Sequence, residues 1–147
     1  TEVLPCDVKA LSAFPHMHLL GKEIKAWAET PEGKEIPLIW IKDWDFNWQG
    51  SYVFEKPISI PKGSKVKFEA YYDNSSDNTR NPSSPPKPVR WGEQTTDEMA
   101  LFGIQVITDT MDDMRKVMRM RGAPIGQLLG SSPPPEAGKK GESGIPK

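Results

Sequence analysis

Prolines and glycines interrupt this chain so often that long helices have nowhere to form. Fifteen prolines and twelve glycines fall across 147 residues. A proline removes a backbone donor and a glycine loosens the chain, so both mark turns and element ends. Between them lie short runs with the two-residue period of half-buried strands. "GKEIKAWAET" (21–30) puts Ile24, Ala26 and Ala28 on one face and Lys25, Trp27 and Glu29 on the other. "IPLIWIKDW" (36–44) and "SYVFEKPISIP" (51–61) are β-rich, the second with an edge-type Pro57. "KVKFEAYYD" (65–73) aligns Val66, Phe68, Ala70 and Tyr72, and "EMALFGIQVIT" (98–108) is the last strong strand. Turn signals, "PEGKE" (31–35) and "PKG" (61–63), separate them. Short strands at regular spacing predict an all-β fold, an antiparallel β-sandwich of jelly-roll-like character.

The stretch 73–97 is too long for an ordinary connection and reads as a turn-rich loop. Its Asp and Asn residues lack the Gly and distal Glu of a calcium loop. After Thr108 the character changes. "TMDDMRKVMRMRG" (110–122) has an N-cap candidate, early acids, late bases and a Gly stop, the signature of a short helix. Met111, Met114 and Met118 share a face with Val117, which predicts an apolar packing face rather than a Cu(I) site. "GSSPPPEAGKKGESGIPK" (130–147) is low-complexity and predicts a flexible tail or linker. The expected organisation is therefore a sandwich over residues 1–108, a Met-rich helix and extension over 109–129, and a tail over 130–147.

Nineteen Lys and Arg balance twenty Asp and Glu, so there is no basic footprint for nucleic acid and no polybasic case for a membrane surface. No apolar run approaches a transmembrane helix. The chain opens Thr-Glu-Val without a signal-peptide pattern and reads as a processed chain or a piece of a longer protein. Cys6 is the only cysteine, so no disulfide forms within the chain and the thiol reads as structural.

Both histidines of the chain lie in "FPHMHLLGK" (14–22). On a strand, His16 and His18 point to one face, where two imidazoles can share a metal ion. The same spacing also suits a solvent-exposed or simply packed pair. A metal needs a third donor, and Met99, opening the last strand, can come from a distant part of the sequence. A His₂Met set mixes imidazole with a soft thioether and points to copper cycling through Cu(I). A methionine at a strand start is otherwise a core residue.

"HMHLLGK" followed far downstream by "TTDEM" resembles the catalytic-copper domain of the type II, ascorbate-dependent copper monooxygenases, the peptidylglycine α-hydroxylating and dopamine β-hydroxylating enzymes, in a bacterial-type version. The likeness covers roughly residues 11–107. It implies one copper per chain, held by His16, His18 and Met99, which activates O₂ to hydroxylate a C–H bond. It also implies ascorbate or another reductant as electron donor, and an extracytoplasmic location. Asp97 and Glu98, which flank the methionine, would either hydrogen-bond to the ligands or serve only as turn acids, the commoner role. The departures are equally specific. No histidine remains for the family's second, electron-storing copper, so an electron-donating domain or protein is expected, and the chain alone should be largely inactive. Ala100 stands where the family commonly has cysteine. Phe14, Leu101 and Gly103 stand where the peptide-amidating enzymes hold their substrate, which argues against peptidylglycine. The resemblance leaves the substrate, small molecule or peptide, open, and puts Phe14 either at an apolar pocket or, by default, in the core.

Two rival readings need no hydroxylase. One is a copper-binding or electron-transfer module of a larger redox protein. The other is a glycan-binding module using Trp40, Trp44 and Trp48, which recur every four residues in "WIKDWDFNWQ" (40–49). Core packing is the ordinary fate of such tryptophans.

Overall fold

The computed structural model describes residues 3–120. The 130–147 tail and the end of the 109–129 extension lie outside the described residues. Six strands form in sequence order: β1 (Val8–Met17), β2 (Gly21–Glu29), β3 (Glu35–Ile41), β4 (Tyr52–Ile60), β5 (Lys65–Tyr72) and β6 (Ala100–Ile107). They build two antiparallel three-stranded sheets, ordered β4-β1-β6 and β3-β2-β5. One helix follows, α1 (Met111–Met118). The sheets share a core: Val8, Ala10 and Ile60 from the first meet Ala28 and Leu38 from the second. This is the expected all-β sandwich. Burying the two inner faces supplies the driving force, and polar residues remain outside.

In β2 the alternation holds for Ile24, Ala26 and Ala28, all essentially inaccessible. Trp27 departs from it. It is buried although it faces the other way, with the Lys25 ammonium 5.0 Å from its ring. In β5, Val66, Ala70 and Tyr72 pack inward, and the Phe68 ring lies 6.1 Å from Phe102 of the opposite sheet.

The helix begins where its N-cap predicts. The Thr110 hydroxyl accepts from the Asp113 amide at 3.1 Å, and two acids occupy the first turn. The methionine stripe is only partly a packing face, which corrects the sequence expectation. Val117 is buried and Met114 half-buried, but Met111 and Met118 are exposed. Eight residues make little more than two turns, so only one narrow stripe reaches the core. Cys6 is buried beneath this helix, its thiol donating to the Asp113 carbonyl at 3.7 Å. Burial, followed by the nearby Asp113 charge, pushes its pKa up, as befits an unreactive structural thiol.

One irregularity in β1 decides what the fold can do. Val8 and Ala10 face the core, and strict alternation would carry His16 and His18 inward with them. The ladder slips between Ala10 and Ser12, where Leu11 is an extra residue against β6. This β-bulge reverses the phase. Beyond it Met17 is the core residue, packed with Ile24 and Trp44, and the histidines face outward.

Gly21 closes the turn after the histidines, its amide donating to the His18 carbonyl at 2.9 Å. A Cβ there would lie 2.8 Å from Met17 Cβ, 2.9 Å from Trp44 Cδ1 and 3.0 Å from the His18 carbonyl oxygen. Gly21→Ala is therefore expected to destabilise the fold by ~1–3 kcal/mol through overpacking, read as a lower denaturant midpoint at unchanged slope.

Candidate metal centre

Strand β6 runs antiparallel beside β1 with His16 opposite Leu101 and Met17 opposite Ala100. One step further, the His18 amide donates to the Met99 carbonyl at 3.2 Å, so Met99 stands across from His18. Directly opposed residues of an antiparallel pair share a face. Ala100, Phe102, Ile104 and Val106 pack toward the interior. Met99 and Leu101 therefore alternate outward, onto the histidine face. His18 is buried, while His16 and Met99 are half-buried.

The two imidazole rings are 5.1 Å apart between centroids and perpendicular, at 89°. Imidazoles holding one ion at ~2.0–2.1 Å with a tetrahedral angle would have centroids about 5 Å apart. Each ring also has one nitrogen engaged. His16 Nδ1 is 2.6 Å from Gln49 Oε1, and His18 Nδ1 is 3.2 Å from the Asp97 carbonyl oxygen. Both partners are acceptors, so both Nδ1 atoms carry the proton and donate. That tautomer leaves each Nε2 with a lone pair. It is the arrangement metal-bound histidines use, the far nitrogen tied to a carbonyl or carboxylate that fixes the ring. The residues present thus fit a metal ion with soft-to-borderline preference. Among the described residues no group of three or more His, Cys, Asp or Glu could hold a metal; Met99 is the sulfur-bearing residue that the β1–β6 register sets across from His18.

Two loops hold these partners. The segment after β3 is anchored by Trp44, which is 1% exposed and packed on Met17. Its amide donates to the Lys22 carbonyl at 2.8 Å. Arg80 clamps the same corner from the long loop, donating to the Trp44 carbonyl and the Asp43 carboxylate. Asp45 then caps a single 3₁₀ turn (Phe46–Trp48), accepting from the Asn47 amide at 2.8 Å. The turn brings Phe46 edge-on to His18, ring centroids 6.4 Å apart, and delivers Gln49 to His16. On the other side, the Leu19 amide donates to the Thr95 carbonyl at 3.2 Å and pins the 92–98 loop to the end of β1.

Asp97 contributes to this arrangement through its backbone carbonyl. Its carboxylate turns back to accept from the Gln94 amide at 3.1 Å, and lies where a Cβ on Gly92 would sit. Glu98 alternates away from the histidines. Its amide donates to the Arg90 carbonyl at 3.0 Å, and its charge adds to burial in raising the Tyr72 phenol pKa. Phe14 lies opposite Gly103 on the histidine face and is half-buried. Gln49 and Phe46 carry no motif of their own; the sole hint is a Gln closing a tryptophan-rich run.

Trp40, Trp44 and Trp48 do not form one platform. Trp44 is core, whereas Trp40 and Trp48 are 56% and 78% exposed. Strand β3 ends at Ile41, so the four-residue spacing crosses a strand, a connecting segment and a 3₁₀ turn. The Trp40 ring carries the Lys42 ammonium at 4.2 Å, and its N–H donates to Glu23 at 2.6 Å. The long loop 73–97 is turn-rich as expected, held by side-chain acceptors at Asp73, Asn78 and Asn81. No helix among the described residues is long and apolar enough to cross a membrane.

No protein-family model, curated protein or solved structure matches this chain. The resemblance to the copper monooxygenases therefore rests on its two sequence motifs, and the metal reading on the geometry above.

Gln49 offers a direct test of that geometry. Gln49→Leu removes the acceptor that holds the His16 ring while sparing the metal-facing nitrogen. It should cost about 10–100-fold in Cu(I) affinity, as loss of such outer partners typically does. Competition with a chelator of known affinity measures it, and Gln49→Glu, which keeps the acceptor, should restore most of the binding.

Proposed function

We propose that this chain is a copper-binding domain in which His16, His18 and Met99 hold one copper ion, and that it serves as the catalytic half of a C–H hydroxylating monooxygenase. The observation that carries the reading is the pair of tied Nδ1 atoms, which leaves two Nε2 lone pairs on the face that Met99 joins. Copper bound there would supply reduction of O₂, with the thioether favouring the reduced ion. The protein's share is orientation and exclusion. Gln49 and the Asp97 carbonyl hold the rings, and Phe46 shields the His18 side from water.

Hydroxylation of R–H by O₂ yields R–OH and water, and consumes two external electrons and two protons. One copper passing between Cu(I) and Cu(II) delivers one electron, so a reductant such as ascorbate, or an electron-donating domain or protein, must deliver the other. The extracytoplasmic location implied by the resemblance belongs to the same proposal.

Cu(I) titration of the chain, followed by oxygen uptake with ascorbate, tests it. One equivalent of copper and slow O₂ consumption that releases peroxide are expected. Failure to bind copper would end the proposal. Efficient coupled hydroxylation by the chain alone would show that it is not a half-enzyme.

A further inference from the structure

Strands β3, β4, β5 and β6 lie at sheet edges, and all but one are guarded. β3 carries Glu35 and Pro37, β4 carries Glu55, Lys56 and Pro57, and β5 carries Lys65, Lys67 and Glu69. Charges and prolines on an edge keep a further strand from adding to it. β6, "ALFGIQVI", has neither along its whole length. The hydrogen bonds at its start show which backbone groups lie on the outer side. The Met99 carbonyl accepts from the His18 amide, so it points at β1. Glu98 points the other way. Its amide donates to the Arg90 carbonyl at 3.0 Å, and its carbonyl accepts from the Gly92 amide at 3.2 Å. These directions alternate along an antiparallel strand. The register with β1 is unbroken from Ala100 to Gln105, and the bulge beyond it belongs to β1. Ala100, Phe102, Ile104 and Val106 therefore present their amides and carbonyls away from β1. Among the described residues nothing bonds to them. The chain starts a pairing on this edge at Glu98 and leaves the rest open.

We propose that β6 pairs antiparallel with β6 of a second copy, joining the two β4-β1-β6 sheets into one. A single register uses the whole edge. With the two-fold axis at Gly103, Ala100 meets Val106 and Phe102 meets Ile104, so every open amide and carbonyl gains a partner. Each of these pairs sets a larger apolar side chain against a smaller one, and an aromatic facing a β-branched residue is a favourable cross-strand pair. Gly103, on the axis, has no side chain to obstruct the approach. On the histidine face Leu101 comes opposite Gln105, and no like charges meet. The length fits as well. Ile107 of the second copy comes opposite Met99 and ends its strand there, one residue short of Glu98, whose edge is already taken. The pairing consumes the open edge of both copies. The other edges are guarded, so association closes at two.

Sedimentation equilibrium of the full chain over about 1 μM to 1 mM, the span of weak to moderate association, tests this. The mass should rise from the 16.4 kDa of one chain to twice that value and no further. By mass action, the Phe102 and Ile104 amides should exchange about tenfold more slowly once about nine-tenths of the chain is paired. Amides of β3, also at an edge, should not change. Two double variants test the register. Leu101→Lys with Gln105→Lys sets like charges opposite each other across the dimer and should keep the chain monomeric. Leu101→Lys with Gln105→Glu sets opposite charges there and should restore the dimer. Both share the lysine at 101, so any cost of that change to the fold is common to them. The mass and exchange of the unmutated chain stand without either variant. A chain that stays monomeric throughout the range, growth past two copies, or equal association of the two folded variants would overturn the proposal.

Discussion

Met99→Ile should weaken Cu(I) binding by more than ~100-fold, beyond what loss of an outer partner costs, while Cu(II) binding changes much less. Isoleucine keeps the apolar bulk and the strand preference of the position, so the ladder that sets His18 against Met99 should persist. What disappears is the one soft donor on the histidine face, and soft thioethers select Cu(I) over Cu(II). The control is Met114→Ile. Met114 lies half-buried on α1, on an element that contributes nothing to the histidine face. It should leave both copper affinities unchanged. Parallel titrations of the two variants decide the matter: equal losses, or no loss at either position, would remove Met99 from the site.

Trp44→Ala should cost ~3–5 kcal/mol of stability, the range for emptying a buried aromatic site. Trp48→Ala should stay within about 0.5 kcal/mol, as exposed substitutions do. Trp44 fills the smaller core cluster with Met17 and Ile24. Trp48 is mostly in water. The loss at Trp44 is a large share of the ~5–15 kcal/mol that holds a typical domain together. It should also reach the metal centre. Trp44 anchors the segment that presents Phe46 and Gln49, so a folded Trp44→Phe variant should bind Cu(I) more weakly than its modest stability loss implies. Denaturant melts and chelator competition on both variants provide the check. A Trp44→Ala chain as stable as Trp48→Ala would mean that the indole is not core. Glycan binding lost in both would revive the aromatic platform.

Local pattern and tertiary structure divide the determination of this protein between them. Period-two alternation and Pro/Gly punctuation suffice for the strands, because each depends on residues a few positions apart. The same is true of the α1 start, where Thr110 and the first-turn acids act within one turn. Histidine spacing alone nominated His16 and His18, and the two motifs together nominated Met99. The sequence cannot show which face the histidines take. That depends on the extra residue at Leu11, and a bulge becomes visible only when the partner strand is aligned. Nor does the sequence reveal that Met99 lies across from His18, a contact 81 residues apart that exists only once β1 and β6 pair.

Gln49, Phe46 and the Asp97 carbonyl reach the rings through loops whose paths are set by a buried tryptophan and an arginine clamp. The four-residue tryptophan spacing sends its three indoles to different surroundings for the same reason: periodicity has meaning only within one element, and this spacing runs from β3 through a connecting segment to the 3₁₀ turn. Donor identity is a property of the sequence. The tautomer, the face and the company each donor keeps arise from packing, because they depend on neighbours brought together by the fold.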